Sequence, residues 1–116
     1  IAGVLLYAAA AHVGEGPGSQ SQFSISTGAV MLMTHAPVVF GIGLLAGASG
    51  WRRSGWLLAA GLLALGNALF AASVSAHYLT EPALTAFIGI GPPSAFAIIG
   101  GWLLVAVLGL AGRNAA

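Results

Sequence analysis

The chain has 116 residues, of which 59 % are hydrophobic and 4 % charged, and its net charge is +1. A soluble domain carries charge on about a quarter of its residues, so this composition is read as that of a multi-pass membrane protein. Three arginines without any lysine leave no basic surface for nucleic acid, and the lack of cysteine excludes disulfides, cysteine-type zinc sites and thiol catalysis.

The first apolar segment runs from Ile1 to Val13 and ends at Gly14. As a helix to His12 it would reach only about 18 Å, against a hydrocarbon thickness of about 30 Å. It has no basic leading region and further apolar segments follow it, which argues against a cleaved signal peptide. Additional residues upstream of Ile1 are the expectation. Gly14 to Gln22 is a polar, glycine-rich loop that breaks any helix. The second segment, about Thr27 to Ala48, is long enough to span. A turn at Ser49–Ser54 carries Arg52 and Arg53, and Trp51 and Trp56 flank it as interfacial aromatics do. The third segment runs from about Gly55 to Tyr78. Ala83 to Ile90, between Glu81-Pro82 and Gly91-Pro92-Pro93, is too short to cross and is read as interfacial. The fourth segment begins near Pro93, since proline suits a first helical turn, and continues to about Leu110 with Arg113 just beyond.

These segments predict one all-α membrane domain over residues 1–116, a bundle of four transmembrane helices at about 1–13, 27–48, 55–78 and 93–110. Arg52, Arg53 and Arg113 fall on one side and Glu15 and Glu81 on the other. The arginine side is cytoplasmic by the positive-inside rule, which places both termini there.

Helix three carries small or polar residues every seventh position at Ala59, Gly66 and Ser73, with His77 one turn further on the same face. Such a stripe reads as a packing face, as does Ala97 with Gly101 in helix four. Asn67, near the middle of helix three, needs a hydrogen-bond partner and is expected to bond across to a neighbouring helix. Trp102 is mid-helix and its indole N–H needs an acceptor.

The residues also resemble a known family. Leu65-Gly66-Asn67-Ala68-Leu69-Phe70-Ala71-Ala72-Ser73 is similar to the third-helix pattern of the family catalogued as domain of unknown function 423. Ile90-Gly91-Pro92-Pro93-Ser94-Ala95-Phe96 with Gly101-Trp102 resembles that family's signature before and inside helix four. Ala11-His12, Thr27-Gly28 and His35-Ala36 fall in similar order and spacing. Met31 and Leu32 stand where relatives tend to have Tyr-Gln, and Pro93 and Ser94 where they tend to have Gly-Gly. The resemblance implies a small four-helix protein of bacterial inner membranes, with relatives in mitochondria-bearing organisms, and no established activity.

His35 is the leading functional candidate, because ionisable residues at membrane depth are costly and face a bundle interior or a wet cavity. Counted from Thr27 it lies about 12 Å below the outer surface. Tying two helices together is its first-ranked role, followed by an ion or cofactor site and then proton handling. Pro37 supports the first by removing the amide that would bond the Met33 carbonyl. For the second, His35 with His12, Met31 and His77 could hold a soft metal or haem. No nucleophile–base pair or embedded carboxylate is legible. The leading function is therefore a non-enzymatic protein that associates, within the lipid bilayer, with other membrane proteins or with itself, as a subunit or assembly factor of a larger complex. No soluble substrate is evident. The metal or haem site is the alternative, and a small transporter is third.

Overall fold

The computed structural model describes residues 1–12, 18–48, 50–79 and 89–113. Four helices follow one another, α1 (Ala2–Ala10), α2 (Gln20–Ala48), α3 (Arg53–Leu79) and α4 (Gly91–Arg113), with a 3-10 turn at Gly50–Arg52 leading into α3. No strand occurs among the described residues. Three stretches are long and apolar enough to cross a membrane: Gln20–Ala48, Gly50–Tyr78 and Gly91–Gly112. Large apolar side chains such as Phe40, Leu44, Phe96 and Leu103 point outward. A surface of that kind suits lipid rather than water.

The local starts and stops have identifiable causes. α2 begins at Gln20, seven residues before the apolar segment at Thr27, and so runs into the stretch read as a loop. Ser19 caps the helix, and Gln22 supports the entry: the Gln22 N–H donates to Ser19 Oγ at 3.2 Å, and Gln22 Oε1 accepts from the Gly18 N–H, one residue before the cap, at 2.6 Å. Gly18 supplies this entry with a φ of +83°, a conformation that a side chain disfavours. α2 thus has 29 residues, about 43 Å, more than the hydrocarbon needs. Its polar first turns, rich in Ser and Gln, are the part that exceeds it. α4 starts at Gly91 with Pro92 and Pro93 in its first turn, where no intrahelical N–H is required. Gly50, at a φ of +53°, reverses the chain between α2 and α3.

Helix α1 has nine residues, and its His12 N–H bonds the Ala9 carbonyl in a closing turn at 3.0 Å. Residues 13–17, which include Glu15, lie outside the described residues, as do 80–88 with Glu81 and most of the segment read as interfacial.

Packing is consecutive: α1 on α2, α2 on α3 and α3 on α4, with no other pair of helices packing extensively among the described residues. Each pair is antiparallel. A Cβ built on Gly3 would meet Met33 and the Ala29 carbonyl, and one on Gly28 would meet the Ala71 backbone and Leu6. The α3–α4 seam pairs Gly55 with Leu108, Ala59 and Leu63 with Gly101, Gly66 with Ser94 and Ile98, and Ser73 with Gly91. Ala97, also on α4, is partly buried. The core of the assembly comprises Ile42, Ala46, Trp56, Leu63 and Ile98. Trp56 is therefore a core residue and not the interfacial anchor that its position beside the arginines implied, whereas Trp51 is 87 % exposed. The difference is one of helix phase: five residues apart across the start of α3, the two indoles face different ways.

At the α2–α3 corner, Arg52 reaches across to α4, where its Nη1 donates to the Leu108 carbonyl at 3.4 Å. A cation there is favoured by the negative end of the helix dipole. The contact brings Arg52 beside the end of α4 that terminates at Arg113.

The seam yields a test. A Cβ on Gly66 would stand 2.8 Å from Ile98 Cγ1 and 2.9 Å from the Ser94 carbonyl oxygen, so Gly66→Ala must push α3 and α4 apart. A loss of about 1–3 kcal/mol is expected. Gly41→Ala, with nothing within 4 Å, is expected to be neutral or mildly stabilising. Unfolding by titration with a denaturing detergent in mixed micelles checks the contrast.

Candidate functional site

The polar side chains at membrane depth are few, and backbone chemistry accounts for most of their bonds. Pro37 interrupts α2, so the carbonyls of the preceding turn lie near a missing donor. Thr34 Oγ1 donates to the Val30 carbonyl at 2.9 Å and lies 3.2 Å from that of Met31. His35 Nδ1 lies 2.9 Å from the same Met31 carbonyl, which is two residues before the Met33 carbonyl that Pro37 releases.

That contact decides the tautomer of His35. A carbonyl only accepts, so Nδ1 carries the proton and Nε2 keeps its lone pair. The partner of Nε2 is Trp102, whose indole Nε1–H donates to it at 3.2 Å. Indole nitrogen is a donor only, which agrees with the same assignment. The two rings meet edge-on, with centroids 5.9 Å apart and planes at 65°. His35 is half-buried and Trp102 is 42 % exposed, so the pair sits at the protein's flank. α2 and α4 both pack on α3, and this bond joins them directly.

Beside the pair lies a groove of about 410 Å³ between α2 and α3, lined by Leu32, His35, Val39, Phe40, Leu63 and Asn67 among others. Asn67 is 2 % exposed. Its Nδ2 donates to the Leu63 carbonyl one turn back at 2.7 Å, and its Oδ1 has no partner among the described residues. The amide was expected to bond a neighbouring helix, and its donor instead turns back onto α3. The short side chain reaches its own i−4 carbonyl more readily than another helix.

The other histidines stand apart from this pair in the sequence of elements. His12 follows α1 and is exposed, while His77 lies in the last turn of α3, 4.6 Å from the Tyr78 ring. No group of three His, Asp or Glu side chains with metal-binding geometry occurs among the described residues. Met31 packs against the core. A metal at His35 Nε2 would have to displace Trp102.

Trp102 as the partner of His35 was not read from the sequence, because 67 positions separate them. Two separate unmet needs were legible: an indole seeking an acceptor and a histidine with one to offer. Their meeting depends on how α2 and α4 are phased on α3.

The family model described as "Protein of unknown function (DUF423)" matches residues 6–107. The chain belongs to the DUF423 family. No curated protein and no solved structure matches it. The matched region contains His35, Asn67 and Trp102, and thus the whole of the helix tie described above.

A double-mutant cycle tests that tie. His35→Ala and Trp102→Phe should each destabilise the folded protein, and the double variant should lose less than their sum. A coupling of about 0.6–1.7 kcal/mol is expected for an interhelical bond of this kind. Additive losses in detergent unfolding would show that the contact contributes nothing.

Proposed function

We propose that this DUF423 protein is a four-span protein of the bacterial inner membrane, arginine end in the cytoplasm, that works by helix association as a subunit or assembly factor without catalysis of its own. The observation that carries this reading is consecutive packing, which gives each end helix a single extensively packed neighbour. The outer face of α4 presents Phe96, Ile99, Leu103, Val107 and Leu110, all more than half exposed. Polar side chains at depth support a structural role, since Thr34, His35, Asn67, Ser75 and Ser94 all bond backbone carbonyls one turn back.

Site-specific photocrosslinking in intact membranes tests association. A photoreactive residue at Leu103 is expected to capture a discrete protein adduct, or a second copy of the chain, where one at Leu57 on α3 does not. Adduct-free monomer from every position on α1 and α4 overturns the reading. Orientation is tested separately: the chain has no cysteine, so Gln20→Cys should react with an impermeant maleimide from outside and Ser54→Cys should not.

The competing reading is a metal or haem held by His35 with His12, Met31 or His77. What supports it is the placement of Met31 one turn from His35 on α2. Metal analysis and an absorption spectrum of purified protein address it, and stoichiometric metal or a haem band would favour it over the tether. Substoichiometric metal with no such band is expected.

A further inference from the structure

Among the described residues, the arginine end of the molecule has charge with no acidic side chain beside it. The chain holds only two acidic residues, Glu15 and Glu81. Glu15 falls in the sequence between α1 and α2, and Glu81 between α3 and α4, so both belong to connections at the opposite helix ends. α2 and α3, of 29 and 27 residues, separate those ends by about 40 Å. Arg52 and Arg53 occupy the α2–α3 corner, and α4 ends beside it.

The two arginines are differently held. Arg52 is half-buried and anchored: Nη1 donates to the Leu108 carbonyl at 3.4 Å, and its Cζ lies 5.7 Å from the centroid of the Trp51 ring. Its Nε is buried without a partner among the described residues. Arg53 is exposed, and no acidic side chain lies at this end among the described residues to pair with it. One guanidinium is thus positioned by the fold and the next is free to close on an anion. Guanidinium forks suit phosphate oxygens, which accept two parallel N–H bonds.

We propose that the Arg52–Arg53 corner, with Trp51, holds the phosphate of an anionic glycerophospholipid in the leaflet at the arginine end. Trp51, 87 % exposed, stands where an indole meets headgroups. Leu57 and Leu58, about one turn along α3 from Arg53, are also exposed, at 50 % and 59 %. They offer apolar surface to acyl chains attached to that phosphate, which a free phosphate ion would not use. A zwitterionic headgroup carries its own cation and competes poorly for the same guanidinium groups.

The proposal rests on the membrane placement given above, and its test is independent of sidedness and of any protein partner, because micelles have no sides. Purified full-length protein in a neutral mild detergent is titrated with short-chain phosphatidylglycerol, short-chain phosphatidylcholine or inorganic phosphate at matched ionic strength, and thermal unfolding is followed. Phosphatidylglycerol is expected to raise Tm with a midpoint at least tenfold lower than phosphatidylcholine. R53Q should shift that midpoint upward severalfold while keeping the helical content and Tm of the lipid-free protein, and R52Q/R53Q should abolish the preference. Equal midpoints for the two lipids overturn the proposal, as does a preference that survives in R52Q/R53Q. A matching response to inorganic phosphate also overturns it and marks the corner as a free-anion site. If R52Q/R53Q fails to fold, R53Q decides, since Arg53 is exposed and makes no hydrogen bond or ion pair among the described residues.

Discussion

Inside a bilayer a polar group that lacks a protein partner has no water to turn to, and this constraint organises the interior of the molecule. Several hydroxyl, amide and imidazole groups of the described helices are placed where a carbonyl lies one helical turn away. Thr34 and His35 do this on α2, Asn67 and Ser75 on α3, and Ser94 reaches the Gly91 carbonyl on α4. Such bonds cost the fold little, because they need no second helix. His35 goes further. Its ring has a second nitrogen, and that nitrogen accepts a hydrogen bond from the Trp102 indole of α4.

Apolar burial does not drive helices together in lipid, so close approach has to supply the attraction. The α3–α4 seam illustrates this. Ala59, Gly66 and Ser73 sit every seventh residue on α3, and small or short residues of α4 face them at Gly101, Ser94 and Gly91. Where a glycine meets a carbonyl or a backbone amide, as Gly66 does at Ser94 and Ile98, the backbones come nearer than any larger residue allows. Glycines facing outward, such as Gly41 and Gly43, meet nothing within 4 Å and play no such part. Glycine count alone therefore says little about packing. Position on the seam decides it.

Periodicity and composition made much of this legible. The apolar stretches located three long helices, and a spacing of seven marked residues that line the α3–α4 seam. Helix starts are less legible where a polar stretch reads as loop. Gln20 to Gln22 lies in that stretch yet is helical, and Ser19-x-x-Gln22 carries the capping signal for it. Trp56 beside two arginines suggested an interface, and only the phase of α3 places it in the core. The His35–Trp102 bond was out of reach for a related reason. It requires the relative rotation of two helices that are not neighbours in sequence, and helical spacing within either one carries no trace of it.

The chemistry open to His35 turns on one lone pair. A neutral imidazole has one donor and one acceptor, and here the donor serves the Met31 carbonyl and the acceptor serves Trp102. A metal at Nε2 would put an ion where the indole hydrogen now lies, and so requires the Trp102 ring to withdraw first. Trp102 adjoins Gly101, which packs directly on Leu63 and the Ala59 carbonyl, so the α3–α4 seam positions the backbone that carries the indole. A ligand at His35 Nε2 would therefore compete with the bond that joins α2 to α4.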